Sequence, residues 1–115
     1  MRAETGAAGE RAAWEAYRRR GYRLVARNWR CRLGELDLVL TRDGILVFCE
    51  VKARRTRVMA DPFQAVTPIK QQKVRTVAQA FLAGVDGDPA CRFDVASVWV
   101  DGRGNADVRV FEDAF

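Results

Sequence analysis

The chain of 115 residues contains no histidine, and this absence excludes whole classes of catalytic chemistry. Without an imidazole there is no Ser-His-Asp or Cys-His nucleophile system, no histidine general base and no histidine-ligated metal. Serine is nearly absent as well, since Ser97 is the single example. Any catalysis therefore depends on carboxylates, lysine, arginine, tyrosine, cysteine or a bound ion.

The cysteines are also too few, and the apolar runs too short, for several classes of protein. Cys31, Cys49 and Cys91 are odd in number, widely spaced and without a C-x-x-C pair. This pattern supports neither a disulfide framework nor a zinc knuckle, and it agrees with a reducing compartment. The longest apolar run, residues 45–49, has five residues, whereas a membrane span needs about 20. Since the N-terminus also lacks an apolar signal region, we expect a cytoplasmic protein without membrane contact.

The length and composition predict a single globular domain over residues 1–115. The apolar fraction of 49% and the charged fraction of 30% are those of an ordinary soluble protein. A chain of this size buries roughly 65% of its unfolded surface, which suffices for one hydrophobic core without disulfide bonds.

The net charge of +5 is distributed in blocks along the chain. Residues 1–32 carry +6, residues 33–52 carry −2, residues 53–75 carry +5 and residues 76–115 carry −4. Arginine supplies 17 of the 20 cations, and its forked guanidinium matches phosphate oxygens. If the two basic blocks lie on one face, nucleic acid is the leading partner. The alternative is a solvated surface with a preference for arginine.

The apolar pattern predicts an α/β fold with one central mixed β-sheet flanked by helices. Helices are expected over residues 7–20 and 67–83, the second beginning with Thr67 as N-cap and Pro68 at its first position. Strands are expected over residues 22–28, 35–40, 45–52, 93–100 and 108–111.

The connections between these elements are predicted from their turn residues. Asp43-Gly44 is a strong hairpin signal between the second and third strands. We expect a loop over residues 30–34 and irregular structure over residues 53–66. The strand over 35–40 is predicted to bury one face, formed by Leu36, Leu38 and Leu40.

The hairpin brings two carboxylates onto one face. With a two-residue turn Asp37 lies directly across from Glu50, and with a four-residue turn the two are diagonal neighbours; either way their Cβ atoms are roughly 5 to 8 Å apart. Lys52 shares that face, two residues after Glu50. Like charges across a sheet are destabilising, and a hard cation such as Mg²⁺ would relieve the repulsion.

This arrangement of acids and lysine is typical of metal-dependent phosphodiester hydrolysis. The Lys52 ammonium could orient or help deprotonate an attacking water, or offset charge on a pentavalent phosphate. The alternative is that acid and lysine alternate on an ordinary exposed strand face.

Further candidate site residues lie outside the acidic block of residues 33–52. Glu10 has core-facing spacing on the first helix, so it is either a third carboxylate of the site or only a complement to the helix dipole. Candidate phosphate contacts, each of which could equally be solvated surface, are the basic residues Arg30, Arg32, Arg54, Arg55, Lys70 and Lys73.

Two segments carry a family resemblance. Gly34-Glu-Leu-Asp-Leu-Val39 followed by Val47-Phe-Cys-Glu-Val-Lys52 resembles the YraN family of small bacterial predicted endonucleases. The resemblance covers nearly the whole chain, from Gly9-Glu10 to Cys91-Arg-Phe-Asp-Val95 and Asp113-Ala-Phe115. That family is itself similar to archaeal Holliday-junction resolvases and to the PD-(D/E)xK, restriction-endonuclease-like superfamily. One departure is the loop before Pro62, which lacks a glycine that is frequent there.

The resemblance implies a restriction-endonuclease-like fold and a DNA endonuclease. It implies Asp37, Glu50 and Lys52 as catalytic motif residues with Glu10 as the fourth, and Mg²⁺ or Mn²⁺ bound by Asp37, Glu50 and Glu10. It further implies a branched or structured DNA substrate and a homodimer, because symmetric cleavage needs two sites. Two alternatives stay open, a non-catalytic nucleic-acid-binding module on the same fold and an enzyme acting on RNA.

Overall fold

The molecule is built on one five-stranded sheet. A computed structural model describes the backbone of residues 2–55 and 66–115, and the side chains of residues 6–55 and 66–115. Its elements are α1 (Arg2–Arg19), β1 (Arg23–Cys31), β2 (Gly34–Arg42), β3 (Ile45–Arg54), α2 (Pro68–Leu82), β4 (Ala90–Val100) and β5 (Ala106–Phe111). The strands lie in the order β1-β2-β3-β4-β5, with β3 and β4 parallel and the other neighbours antiparallel. The predicted α/β fold with a mixed sheet between helices is confirmed.

The β2–β3 hairpin has the shorter of the two predicted turns. Arg42 pairs with Ile45, and the intervening Asp43 and Gly44 have φ angles of 53° and 77°. Positive φ at both central residues is the conformation whose twist matches that of the flanking strands. The register that places Asp37 toward Glu50 is therefore the one that the two-residue turn predicts.

The crossover from β3 to β4 contains α2, which begins as predicted. The Thr67 hydroxyl accepts a hydrogen bond of 3.2 Å from the Lys70 N–H, and Pro68 follows at the first position. The prediction of irregular structure over residues 53–66 was partly wrong, because β3 continues through Arg54 in parallel pairing with β4. The rest of that prediction, including the loop before Pro62, falls on residues 56–65 and lies outside the described residues.

The predicted loop over residues 30–34 was also too long. β1 extends to Cys31 and β2 begins at Gly34, with Cys31 paired to Gly34, so that Arg32 and Leu33 alone form the turn. The first helix likewise begins at Arg2 rather than residue 7. These boundaries depend on pairing with neighbouring elements, which a local pattern does not contain.

The two helices pack on opposite faces of the sheet. The α1 face buries Ala13 and Tyr17 of the helix against strand residues that include Leu38, Leu40, Val47, Cys49 and Val98. The α2 face buries Val74, Val77 and Ala78 against Leu36, Val39, Leu46 and Phe48. In the part of the chain that the structure describes, neither helix is long and apolar enough to cross a bilayer.

One predicted face was wrong, because Leu36 does not pack with Leu38 and Leu40. Leu36 joins the cluster under α2, whereas the other two leucines join the cluster under α1. The paired register of β2 with β3 ends at Leu38 and Cys49. Beyond that point the Asp37 carboxylate, instead of the main chain, accepts the N–H of Val51 at 2.8 Å. Strand alternation is therefore broken at the position that carries the first acid.

Glycines let both helices approach the sheet near this break. A Cβ at Gly9 of α1 would lie 2.5 Å from the Cβ of Ala53 on β3. A Cβ at Gly34, whose φ is 149°, would lie 2.9 Å from a methyl group of Val77 on α2. Neither distance is compatible with an unshifted side chain, so glycine sets the closeness of each helix to the strands that carry the acids.

A buried network of polar groups links the first helix to the last residues. Asp94 on β4 is fully buried and accepts a hydrogen bond of 2.8 Å from the Tyr17 hydroxyl. Arg92 donates to both carboxylate oxygens at 2.9 Å, and the Asp113 N–H donates at 3.0 Å. The C-terminal residues are thereby held against the sheet.

Candidate functional site

An open cleft of about 590 Å³ lies between the β1–β2 turn, β3 and the first turns of α2. It is lined by Arg30, Cys31, Gly34, Glu35, Asp37, Glu50, Lys70, Lys73 and Val74. Three acids and three cations thus share one small concavity. Of the residues that the sequence predicts for the site, the cleft brings together Asp37, Glu50, Arg30, Lys70 and Lys73.

Asp37 and Glu50 are adjacent within this cleft. Burial raises the pKa of the Asp37 carboxyl, and the Val51 N–H and a hydrogen bond with Glu50 oppose the rise. Burial first and the Asp37 charge second raise the pKa of Glu50 to about 7, although Lys70 opposes this. The hydrogen bond between the two carboxyl groups favours the ionised form of Asp37 and the protonated form of Glu50.

Glu50 is the enclosed member of the pair, with 6% of its side chain exposed. The Lys70 Nζ lies 3.4 Å from its Oε1, so the start of α2 neutralises part of the acidic charge. This contact depends on the crossover, because α2 and β3 are separated by residues 55–67 in the chain.

Asp37 also belongs to a group of three carboxylates. Oxygens of Glu10, Glu35 and Asp37 are all within 4.8 Å of one another, and each residue is half-buried. Burial raises the pKa of Glu10, the charges of Asp37 and Glu35 add to the rise, and the Asn28 side chain opposes it by hydrogen bonding. The structure therefore brings Glu10, Glu35 and Asp37 together, with Glu50 beside Asp37 but outside this group.

Glu35 was missed as a site residue in the sequence. The available signal was its position two residues before Asp37, which places both acids on one face of a regular strand. Its outer oxygen also pairs with Arg30, whose Nε lies 3.0 Å away. Because Arg30 is 76% exposed, that pair adds little to stability and leaves the guanidinium accessible from solvent.

Lys52 lies on β3, beside Ser97 of β4 in the parallel register. It is half-buried and on the same side of the strand as Glu50, by alternation. It is not among the cleft-lining residues in the part of the chain that is described. The structure thus places Lys52 two residues beyond Glu50 on the same strand, outside the lining of the cleft.

Arg32, Arg54 and Arg55, the remaining predicted cations, are not among the residues that line the cleft. Arg32 is exposed in the β1–β2 turn. Arg54 ends β3, and Arg55 lines a separate shallow pocket near Trp99 and Asp101. Within the described ranges, the basic rim of the cleft therefore consists of Arg30, Lys70 and Lys73.

The chain is similar in sequence to proteins of one family. Residues 9–98 match the model of the Uncharacterised protein family UPF0102. Over its full length the chain is 43% identical to a UPF0102 protein of Symbiobacterium thermophilum, of which it covers 98%. It is 44% identical to a UPF0102 protein of Mycolicibacterium vanbaalenii, over 89% of this chain and 85% of that protein. A UPF0102 protein of Ralstonia nicotianae is 48% identical, over 84% of this chain and 78% of its own length. The chain therefore belongs to the UPF0102 family, the YraN-like family that its motifs resemble.

Proposed function

We propose that the protein is a nuclease that hydrolyses phosphodiester bonds in DNA with a divalent cation, Mg²⁺ or Mn²⁺. The observation that carries the proposal is the cleft, in which carboxylates converge and cations line the rim. A polyanionic substrate fits the rim, and a hard cation fits the acids. The restriction-endonuclease-like character that the motifs imply agrees with the mixed sheet and its two flanking helices.

The donor set suits a hard divalent ion. Glu10, Glu35 and Asp37 offer oxygens within 4.8 Å of one another, and Mg²⁺ and Mn²⁺ prefer carboxylate oxygen and water ligands. Asp37, Glu10, Glu35 and Glu50 are the residues that would hold the ion. When bound, such an ion polarises a phosphate oxygen and makes a water more acidic.

The chain's own groups supply the rest of the chemistry. Without a cation, burial and the Asp37 charge raise the pKa of Glu50 to about 7, so binding of an ion by Glu50 would displace a proton from its carboxyl group near neutral pH. Lys52 is assigned the positioning of the hydrolytic water, and Arg30, Lys70 and Lys73 are assigned the sugar–phosphate backbone. Such contacts are salt-dependent and largely indifferent to base sequence.

The proposal extends to branched or structured DNA and to a homodimer in the cytoplasm. Both extensions rest on the resemblance to Holliday-junction resolvases, in which paired cuts on two strands need two sites. The small size of the cleft agrees with contact to one strand at a time.

The test is a cleavage screen with Mn²⁺ and with EDTA. Substrates are a four-way junction, a flap, single strands, a matched duplex and the corresponding RNA strands. We expect Mn²⁺-dependent cutting of DNA that falls about 100-fold or more in Glu50→Gln and in Lys52→Ala. Glu15→Gln, an exposed acid on α1, is the matched control and should cut like the wild type.

Each other result has a definite meaning. Unchanged cutting by Glu50→Gln contradicts this site. A protein that binds DNA but cuts none of the substrates is a non-catalytic binding module, and preferential cutting of RNA assigns RNA as the substrate.

A further inference from the structure

Two exposed apolar side chains border the cleft, and they come from two different elements. Leu33 lies in the β1–β2 turn and is 49% exposed, and Ile69 lies in the first turn of α2 and is 84% exposed. Their chain neighbours Gly34 and Lys70 line the cleft. Neither Leu33 nor Ile69 belongs to the two clusters that form the hydrophobic core. Packing among the described residues therefore does not account for this apolar pair, Leu33 and Ile69.

The β1–β2 turn lies close to α2 at the apolar pair. A Cβ at Gly34 would be 3.5 Å from the Cε of Lys73, so Lys73 lies against the residue that follows Leu33. On α2, Ile69 and Lys73 are four residues apart and therefore share one face of the helix. Lys73 thus connects the helix face that carries Ile69 with the turn that carries Leu33.

Each member of the apolar pair has a cation beside it. Arg32 precedes Leu33 in the turn, and Lys73 follows Ile69 by about one helical turn. Both cations are exposed. In the described parts of the chain, neither of them forms an ion pair. Their positive charge is therefore available to an anion from outside the molecule.

A nucleotide outside a duplex has the two properties that this surface complements. Its phosphate is anionic, and the face of its base is uncovered and free to pack on a side chain. In an intact duplex the base faces are stacked on one another, so a protein reaches only the backbone and the base edges in the grooves.

We propose that the apolar pair contacts the bases of unpaired nucleotides in DNA while Arg32 and Lys73 hold the adjoining phosphates. The surface therefore selects single strands, flaps and junctions with unpaired bases over an intact duplex. The inference rests on the proposed function, because it takes DNA as the ligand of the same cleft. It adds Leu33 and Ile69 as residues that determine which form of DNA is bound.

A second copy of the chain fits this surface less well. Most dimers of identical chains are related by a twofold axis, which places the same patch on both sides of the interface. At this surface such a dimer would bring like charges together, which is unfavourable. Nucleic acid instead neutralises the two cations with its phosphates.

The experiment measures DNA binding by the intact chain in EDTA, so that no strand is cut. Fluorescence anisotropy compares a labelled oligodeoxythymidine strand with a labelled blunt duplex. We expect Leu33→Gln and Ile69→Gln each to weaken binding of the single strand about fivefold and to change binding of the duplex less than twofold. Both positions are exposed, so the melting temperature should stay near that of the wild type.

Two further variants separate the apolar contact from other effects. Val25→Gln is the matched control, because Val25 is an apolar residue of β1 that is 46% exposed and is not among the cleft-lining residues. It should bind both probes like the wild type. Lys73→Gln should weaken binding of both probes and lower the salt dependence of each, since both probes carry phosphates.

The other outcomes overturn the inference in distinguishable ways. Unchanged binding of the strand by either Leu33→Gln or Ile69→Gln, or an equal loss with strand and duplex, overturns it and leaves the proposed function standing. Sedimentation of the same variants shows whether a dimer is lost, in which case the apolar pair contacts a second copy and the inference fails. A wild type that binds neither probe overturns the proposed function, and this inference with it.

Discussion

Glu50 occupies the most enclosed position among the acids of the cleft, between Asp37 and Lys70. Burial and the neighbouring charge favour its protonated form, so ionisation of this one side chain works against the folded state. A carboxyl group whose pKa is raised on folding stabilises the folded protein at pH values below the pKa that it has in the unfolded chain. This stabilisation is lost as the pH rises through the pKa that the group has in the folded protein. The relevant pH window runs from 4.5, the ordinary pKa of a glutamate side chain, to about 7.

We predict that the wild type loses thermal stability relative to Glu50→Gln as the pH rises from 5 to 8. Glutamine keeps the shape and cannot ionise, so the melting temperatures should diverge by on the order of 5 °C across this range. Unfolding is followed by circular dichroism in EDTA. Glu15→Gln is the control, because the exposed Glu15 has a lowered pKa through its hydrogen bond with Arg18. Parallel pH profiles for the wild type and Glu50→Gln would count against a proton shared in the cleft.

At the scale of elements, the position of α1 depends on the absence of a side chain at Gly9. A methyl group there would lie 2.5 Å from the Cβ of Ala53, so the helix would have to move away from β3. Because Glu10 is the next residue on the same helix, that movement would carry its carboxylate away from Glu35 and Asp37. Packing and site geometry are therefore coupled through one backbone contact.

We predict that Gly9→Ala destabilises the fold by about 1–3 kcal/mol, the usual cost of overpacking, and also weakens Mn²⁺ binding. Gly6→Ala is the matched control on α1, since a Cβ at Gly6 has no atom within 4 Å. That control should be neutral or should stabilise the helix by up to about 1 kcal/mol. Urea denaturation measures the first effect and Mn²⁺ titration the second. If both glycine variants behave alike, the close approach has no role in the site.

The start of a helix or the register of a hairpin was predictable where it depends on residues that are close together in the sequence. Thr67-Pro68 fixes the start of α2 through a cap that involves residues one turn apart, and Asp43-Gly44 fixes the hairpin register. That register was enough to place Asp37 near Glu50. The direction of β4, by contrast, depends on the whole crossover, and the sequence pattern leaves it open.

The parts of the site that were missed depend on contacts between distant elements. Leu36 changes face because β2 leaves its pairing at Asp37, which strand alternation does not predict. Glu35 joins the acids because α1 brings Glu10 to the same end of the sheet. Lys70 reaches Glu50 because α2 packs over the opposite face. Each of these facts is a matter of tertiary geometry.

At the scale of the whole molecule, Asp94 is the point where sequence-distant segments meet. It connects Tyr17 of α1, Arg92 of β4 and the main chain of Asp113 by hydrogen bonds. A buried carboxylate with three partners holds them in place, and its removal would leave a part-buried guanidinium without its charge partner.

We predict that Asp94→Ala costs about 3–5 kcal/mol of folding free energy. Asp86→Ala, at an exposed position in the turn before β4, should cost less than about 0.5 kcal/mol. The two free energies are compared by urea denaturation at pH 7. A loss below about 1 kcal/mol in Asp94→Ala would show that the network contributes little to the closure of the domain.

The parallel pairing of β3 and β4 affects the order in which the cleft is assembled during synthesis. The β2–β3 hairpin joins neighbouring residues, and hairpins form within microseconds, so its acids meet as soon as they are made. β4 joins β3 only after the intervening crossover, and such non-local pairing is slow. A nascent chain that ends before α2 therefore carries the carboxylates without Lys70 and Lys73. Until the crossover is complete, Glu50 lacks the Lys70 ammonium, whose Nζ lies 3.4 Å from its Oε1 in the folded protein.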